Sequence, residues 1–316
     1  MKILVTPPVT AEHKAILESI AGTEYIYCDA DKVSAKLMEN IEVVFGNIGF
    51  DLIKAAQDLK LLQLFTAGTD GYVDILPKGC ELTNTTGAFG LAISEHMLGM
   101  MLMLMKRMHQ YRDNQLKCSW QDMGNVNSVA GSVVLTIGLG DIGGEFARKA
   151  KALGAYTIGV RRKDTRKPEY IDELYLVENL DKLIPRADII ALAMPGNGET
   201  RHVINKMRID SMKQGAIVLN VGRGNAIDTQ ALTDAVQRGQ ILAGLDVTDP
   251  EPLPKDHPLW KCENALITPH VSGFFHLKKT LDNMVDIAAL NITAIMAGKP
   301  LHNVIDRETG YRKLER

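Results

Sequence analysis

The chain has 316 residues, a formal net charge of −2, and 46% hydrophobic and 23% charged residues. This is the composition of an ordinary globular protein with room for two domains, and it offers no basic field for nucleic acid. The four cysteines, Cys28, Cys80, Cys118 and Cys262, form no Cys-x-x-Cys pair. That argues against a disulfide framework or a zinc site, leaves no metal expected, and suits a reducing, cytoplasmic setting.

The opening Lys2-Ile3-Leu4-Val5-Thr6 is broken by Pro7-Pro8, so residues 3–6 read as a first strand rather than a signal peptide. Residues 11–20 have helical spacing, with Thr10 placed to cap them and Gly22 to stop them. Residues 25–28, 42–45 and 61–66 read as short strands, with a helix over 51–57. Such alternation implies a mostly parallel sheet. The most apolar stretch, 97–105, is interrupted by Gly99 and closed by Lys106-Arg107. It falls short of the roughly 18 residues of a membrane span, so no membrane partner is expected. Met97, Met100, Met101, Met103, Met105 and Met108 fall on one predicted helix, a pattern suited to a core or a subunit interface. A homodimer burying part of 99–126, with Trp120 nearby, is expected.

A second series of strands follows at 133–137, 156–160, 188–193, 216–221, 241–247 and 265–268, with helices at 144–153, 205–212 and 228–238. Asp228 caps the last helix and Gly239 ends it. Six strands with helices between them describe a doubly wound nucleotide-binding domain. A long helix over 279–297 comes after it. The expected architecture is α/β with two doubly wound parallel-sheet domains. A Rossmann dinucleotide-binding domain (99–277) is inserted into a flavodoxin-like substrate domain (1–98 and 278–316), and helices near 92–108 and 279–297 make the crossings.

The strand at 133–137 runs into Gly138-Leu139-Gly140-Asp141-Ile142-Gly143 and then a helix that stops at Gly154. In that context Gly138 permits a tight turn, Gly140 lets the backbone approach a pyrophosphate, and Gly143 lets helix and strand pack closely. The helix N-terminus offers free N–H groups to the phosphate. Asp141 is an awkward charge beside a phosphate, and its carboxylate could cap the helix instead. The next strand ends Val160-Arg161-Arg162-Lys163, with no acid where a ribose 2′-hydroxyl would need one. A guanidinium at Arg161, with Arg162 beside it, can grip a 2′-phosphate, which favours NADP over NAD. A solvated basic turn fits the same residues.

Three further stretches each place one charged or titratable residue just past an apolar strand: Asn220-Val221-Gly222-Arg223-Gly224, Asp246-Val247-Thr248-Asp249-Pro250-Glu251, and Thr268-Pro269-His270. The fork of Arg223 matches a carboxylate, and His270 paired with Glu251 can move a proton on the neighbouring carbon. With the glycine loop upstream, this points to a pyridine-nucleotide dehydrogenase acting on a 2-hydroxy or 2-keto acid.

With these residues the chain resembles the D-isomer-specific 2-hydroxyacid dehydrogenases, the family of D-lactate, D-glycerate, glyoxylate/hydroxypyruvate and 3-phosphoglycerate dehydrogenases. Ala67-Gly68-Thr69-Asp70, Asn84-Thr85-Thr86-Gly87, Ser94-Glu95-His96, Glu199-Thr200 and His257-Pro258-Leu259-Trp260 extend the match. The resemblance implies that Arg223 binds the substrate carboxylate and keto oxygen. It implies that His270 is the acid/base and that Glu251 pairs with it and favours the charged imidazolium. Asp246 would bond the nicotinamide carboxamide. The 194–198 loop with Met194 and Pro195, together with Thr200, Val221 and Gly222, would run beside the cofactor. Asn47, Ile48, Gly68 and Thr69 would offer backbone N–H groups to the substrate.

Phe89, Thr248, Phe274 and Phe275 depart from the family's pattern and leave the substrate open; Phe89 and Phe275 suit either an apolar pocket or hinge packing. His96 reads as a packing histidine and His257 as structural. With Arg316 as the last residue, no regulatory domain is expected after the catalytic body, an expectation that disfavours the longer phosphoglycerate type. Two other functions fit the scaffold: formate or phosphite oxidation, and a non-catalytic NAD(P)-binding sensor or corepressor.

Overall fold

The computed structural model describes residues 1–69, 71–163, 166–196, 198–308, 310 and 312–313. Asp70 and Asn197, both within stretches singled out above, lie outside the described residues. The chain divides into two compact units, Met1–Phe89 with Phe275–Arg316, and Gly90–Phe274.

The first unit opens with β1 (Lys2–Val5), α1 (Ala11–Glu18), β2 (Glu24–Tyr27), β3 (Val43–Phe45), α2 (Phe50–Ala55), β4 (Leu61–Gln63) and β5 (Glu81–Thr83). All its strands are parallel, in the order β2-β1-β3-β4-β5, the flavodoxin-like winding. Thr10 caps α1 in a reciprocal box: its side chain accepts from the His13 N–H, and the His13 ring accepts from the Thr10 N–H at 3.2 Å. Leu4, Val44, Leu62 and Leu82 from successive strands are fully buried in one core. The short strand β5 has no apolar run to announce it, because only Leu82 in Glu81-Leu82-Thr83 is apolar.

The second unit begins with α3 (Gly90–Met105) and α4 (Met108–Leu116). These are two helices where the methionine spacing predicts one, because Arg107 turns left-handed at φ 55° and breaks the run. Met97, Met100, Met101 and Met105 are buried on α3, whereas Met108 is exposed. The chain crosses between units at 89/90 and 274/275 rather than at 98/99 and 277/278. The physical reason is that α3 packs against α5, β10 and β11 and so belongs to the second unit.

Those partners are part of the series β6 (Val133–Ile137), α5 (Asp141–Ala152), β7 (Tyr156–Arg161), β8 (Glu173–Leu176), α6 (Leu180–Leu183), β9 (Ile189–Leu192), α7 (Lys206–Asp210), β10 (Ala216–Asn220), α8 (Thr229–Gln237), β11 (Ile241–Leu245) and β12 (Ala265–Ile267). The seven strands lie in the order β12-β11-β10-β9-β6-β7-β8, all parallel. Central β9 and β10 are buried at every residue, as expected of parallel strands covered on both faces. Edge strand β8, a seventh where the apolar runs mark six, is only half-buried. It is anchored by the Glu173 carboxylate, which accepts from Tyr156, Tyr175 and Arg186. These hydrogen bonds, that of Arg186 foremost, hold the Glu173 carboxyl down to about 2.

The chain then returns to the first unit as α9 (Lys278–Met296). This helix is locked to β4 and β5 by buried polar side chains. Asn291 Nδ2 donates to Gln63 Oε1 at 2.6 Å and to the His302 carbonyl at 3.1 Å, and the Thr83 hydroxyl donates to Gln63 Oε1 at 2.7 Å. A buried amide is tolerated only when satisfied in this way. No helix of the described residues is long and apolar enough to cross a membrane.

Candidate active site

The candidate groups of the second unit share one edge of its sheet, the C-terminal ends of the strands. Across the sheet from β12 to β7, the loops leaving these ends carry His270, Glu251, Arg223, Met194, the glycine loop and Arg161 in spatial order. The chain winds one way from β6 through β7 to β8 and the other way from β9 through β12. The glycine loop and the Met194 loop therefore flank the point where open α/β sheets bind ligands.

The glycines divide the labour of the loop. Gly138 is left-handed at φ 93°, and a Cβ there would stand 2.7 Å from the Ala193 carbonyl. A Cβ on Gly143 would stand 1.9 Å from the Gly138 carbonyl. Both are required by the protein's own packing. Among the described residues, nothing beyond its own chain neighbours comes within 4 Å of such a Cβ on Gly140, so the backbone here faces open space at the start of α5. That is the cradle a pyrophosphate needs, and the residues present fit a dinucleotide. Ile142 follows in the first turn of α5, partly buried.

The Asp141 carboxylate caps α3 rather than α5: its Oδ2 accepts the Gly90 N–H at 2.9 Å. A side chain at Gly90 would collide with it, at 2.3 Å from Oδ1. The awkward charge is thus spent on the N-terminus of a neighbouring helix, where negative charge is favourable. Arg161 leans back over the glycine loop and donates from Nη2 to the Leu139 carbonyl at 3.2 Å; Arg162 is exposed.

Glycines also nest the loops that carry the catalytic candidates. A Cβ on Gly222 would stand 2.5 Å from the Met194 carbonyl, and one on Gly224 only 1.9 Å from the Thr248 carbonyl. Gly196 passes the Arg223 stem at 2.8 Å by the same measure. Buried Asn220 staples the Arg223 turn, accepting from the Gly222 N–H and donating to the Arg223 carbonyl, both at 3.0 Å. Val221 is buried, and Arg223 Nη1 donates to the Gly222 carbonyl at 2.8 Å. Thr200 steadies the far end of its loop by donating to the Pro195 carbonyl at 3.2 Å.

His270 and Glu251 meet directly, Nδ1 to Oε1 at 2.6 Å, with both side chains a little under half exposed. The contact occupies Nδ1 and so fixes the orientation of the imidazole. His270 itself is left-handed, φ 53°. Its N–H donates to the Asp246 and Thr268 carbonyls at 2.8 and 3.0 Å.

Asp246 is fully buried, and its carboxylate accepts four hydrogen bonds. Oδ1 takes the Thr268 hydroxyl at 2.6 Å and the Val271 N–H at 3.0 Å; Oδ2 takes the Ser272 N–H at 3.1 Å and the Ser272 hydroxyl at 2.5 Å. The donors lie on both sides of His270 in the chain. The supporting roles of Asn220, Thr268 and Ser272 have no motif in the sequence, although Asn220 is the one polar residue closing an otherwise apolar strand. His257 caps its own short turn, accepting from the Leu259 N–H at 3.3 Å.

The remaining candidates belong to the first unit, on loops after β3 and β4. Asn47 ties these loops together: Oδ1 accepts the Phe65 N–H and Nδ2 donates to Thr66 Oγ1, both at 3.1 Å. Among the described residues, the N–H groups of Ile48, Gly68 and Thr69 donate to no protein acceptor. In the same unit Phe89 is buried, and Phe275 packs against Phe65 with centroids 5.3 Å apart.

Residues 98–272 match the family model described as D-isomer specific 2-hydroxyacid dehydrogenase, NAD binding domain. The chain is 30% identical over 283 residues to a glyoxylate reductase of Korarchaeum cryptofilum (strain OPF8), covering 85% of this chain and 82% of the relative. A solved D-isomer specific 2-hydroxyacid dehydrogenase family protein from Aeromonas salmonicida subsp. salmonicida A449 shares 31% identity and superposes with a TM-score of 0.87 over 97% of this chain and 99% of that one. A D-isomer specific 2-hydroxyacid dehydrogenase from Xanthobacter autotrophicus Py2, solved in complex with NADPH and MES, shares 25% identity and superposes with a TM-score of 0.83 over 98% and 99% of the two chains.

Two alanine variants test the reading of the loop. Gly143→Ala should lower stability by about 1–3 kcal/mol through overpacking. Gly140→Ala should leave unfolding within about 0.5 kcal/mol of wild type yet weaken dinucleotide binding at least roughly tenfold, about 1.4 kcal/mol. Thermal unfolding and a fluorescence titration with reduced dinucleotide read both. Undiminished affinity in Gly140→Ala would show that this backbone does not face the cofactor.

Proposed function

Because the chain belongs to the D-isomer-specific 2-hydroxyacid dehydrogenase family, we propose that its NAD(P)-dependent oxidoreductase chemistry interconverts a small 2-keto acid and its D-2-hydroxy acid through Arg223, Glu251 and His270. The observation that carries this reading is the order of loops on the sheet edge. Arg223, Glu251 and His270 leave the ends of three adjacent parallel strands, β10, β11 and β12. Two strand spacings span roughly 10 Å, within reach of a three-carbon acid held by both an arginine and a histidine.

The dinucleotide, when bound, supplies or accepts the hydride. In the reducing direction Arg223 holds the carboxylate and polarises the keto oxygen. His270 delivers a proton from Nε2 to that oxygen as the carbon becomes a hydroxyl centre, and takes it back in the reverse reaction. Glu251, bonded to Nδ1, fixes the ring and stabilises the imidazolium that donates. The backbone N–H groups of Ile48, Gly68 and Thr69, with Asn47 holding their loops together, receive the substrate carboxylate. Gly138, Gly140, Ile142 and Gly143 receive the pyrophosphate, with Asp141 positioning the loop. Met194, Pro195, Thr200, Val221, Gly222 and Asp246 line the nicotinamide side. Arg161 and Arg162 favour the 2′-phosphate of NADP over the hydroxyl of NAD.

The protein acts as a homodimer in the reducing cytoplasm. Met108, Tyr111, Leu116, Trp120 and Val126 are all exposed, Trp120 entirely so, and a partner subunit that covers them would remove large apolar groups from water. The four cysteines carry no disulfide.

Two measurements test the proposal. Purified protein should consume NADPH with at least one acid among glyoxylate, hydroxypyruvate, pyruvate and longer 2-keto acids, with kcat/KM at least about tenfold above that with NADH. In His270→Ala, kcat should fall by roughly 100-fold or more with dinucleotide affinity retained. Tight dinucleotide binding without turnover on any acid would favour a sensor, and near-normal kcat in His270→Ala would remove His270 as proton donor. Light scattering at micromolar concentration should give the mass of a dimer; a monomer contradicts the proposed interface.

A further inference from the structure

His96 lies on α3, remote in sequence from the loop after β12. Its Nε2 nevertheless lies 3.0 Å from Thr268 Oγ1 and 3.8 Å from Asp246 Oδ1. The directions of the protons in this cluster follow from valence. The Asp246 carboxylate only accepts, so the single hydroxyl proton of Thr268, 2.6 Å away, is directed onto it. The remaining capacity of the Thr268 oxygen is as an acceptor, so His96 Nε2 donates to it. The relay runs one way, from His96 through Thr268 to Asp246. Two residues beyond Thr268 is His270, and immediately after His270 come Val271 and Ser272, which supply the other three donors to Asp246.

We propose that His96 and Thr268 are positioning residues for His270. His96 fixes the rotamer of the Thr268 hydroxyl, the hydroxyl closes the fourth bond on the Asp246 carboxylate, and the completed clamp holds His270 in the left-handed backbone conformation that aims its ring. Neither residue needs to touch substrate. The inference deepens the dehydrogenase reading and rests on His270 as its proton donor. It also accounts for a buried carboxylate that meets no lysine or arginine among the described residues, since charge-assisted hydrogen bonds replace the cation.

The experiment compares two pairs of variants. Thr268→Val keeps the shape and removes the hydroxyl, whereas Thr268→Ser keeps the hydroxyl. His96→Leu removes the donor, whereas His96→Gln can return an N–H. Thr268→Val and His96→Leu should each lower kcat for the best 2-keto acid at least about tenfold, with the dissociation constant for NADPH within about twofold of wild type. Thr268→Ser and His96→Gln should recover turnover to within about threefold. Hydrogen–deuterium exchange supplies a readout independent of activity: peptides covering 269–273 should exchange faster in Thr268→Val and His96→Leu, with those over β9 and β10 unchanged. Wild-type kcat in both removal variants, or unaltered exchange over 269–273 in both, overturns the proposal. A wild-type protein inactive on every keto acid would sink the dehydrogenase reading alone; the exchange result would still decide whether the clamp depends on His96 and Thr268.

Discussion

The organisation of this molecule depends on one constraint: in an all-parallel sheet every strand ends at the same edge. Seven parallel strands in the second unit deliver their following loops to one side, and the strand order decides which loops become neighbours. The loops of β10, β11 and β12 are adjacent although Arg223 and His270 are 47 residues apart in the numbering of the chain. Sheet order thus makes neighbours of the loops that carry a guanidinium, a carboxylate and an imidazole. The nested glycines at 222 and 224 then let these loops lie against one another, because a Cβ at either would strike a neighbouring carbonyl.

The second theme is a buried carboxylate used as scaffolding. A charge inside a protein is costly unless its hydrogen-bonding capacity is filled. Asp246 meets that requirement with four donors from Thr268, Val271 and Ser272. The left-handed backbone of His270 is disfavoured by on the order of 1 kcal/mol for a residue with a Cβ and persists only where the surroundings over-determine it. Donors on both sides of His270, with the two carbonyls that its own N–H meets, supply that over-determination. Asp246 thus holds the loop that carries His270.

Much of the fold was legible because parallel strands buried on both faces read as uninterrupted apolar runs, as in Ile189–Leu192 and residues 216–219. What escaped were the strands without such runs. β5 has one apolar residue, and β8 is a half-buried edge held by the Glu173 cluster. The methionine-rich stretch reads as one helix because propensity does not show the left-handed turn at Arg107. The types and order of the candidate residues could be read from the chain, since each follows a strand. Their supports could not: Gly90 meets Asp141 across 51 positions, and His96 meets Thr268 across 172. Such partners are set by tertiary packing and leave no local pattern.

The most direct test is a crystal structure of the protein with oxidised dinucleotide and an unreactive 2-keto acid analogue such as oxamate. His270 Nε2 should lie within hydrogen-bond reach, about 2.7–3.2 Å, of the analogue's carbonyl oxygen, with the Arg223 guanidinium on its carboxylate and Glu251 still on Nδ1. A complex in which the dinucleotide is seated on the glycine loop but His270 and Arg223 make no contact with the analogue would contradict it.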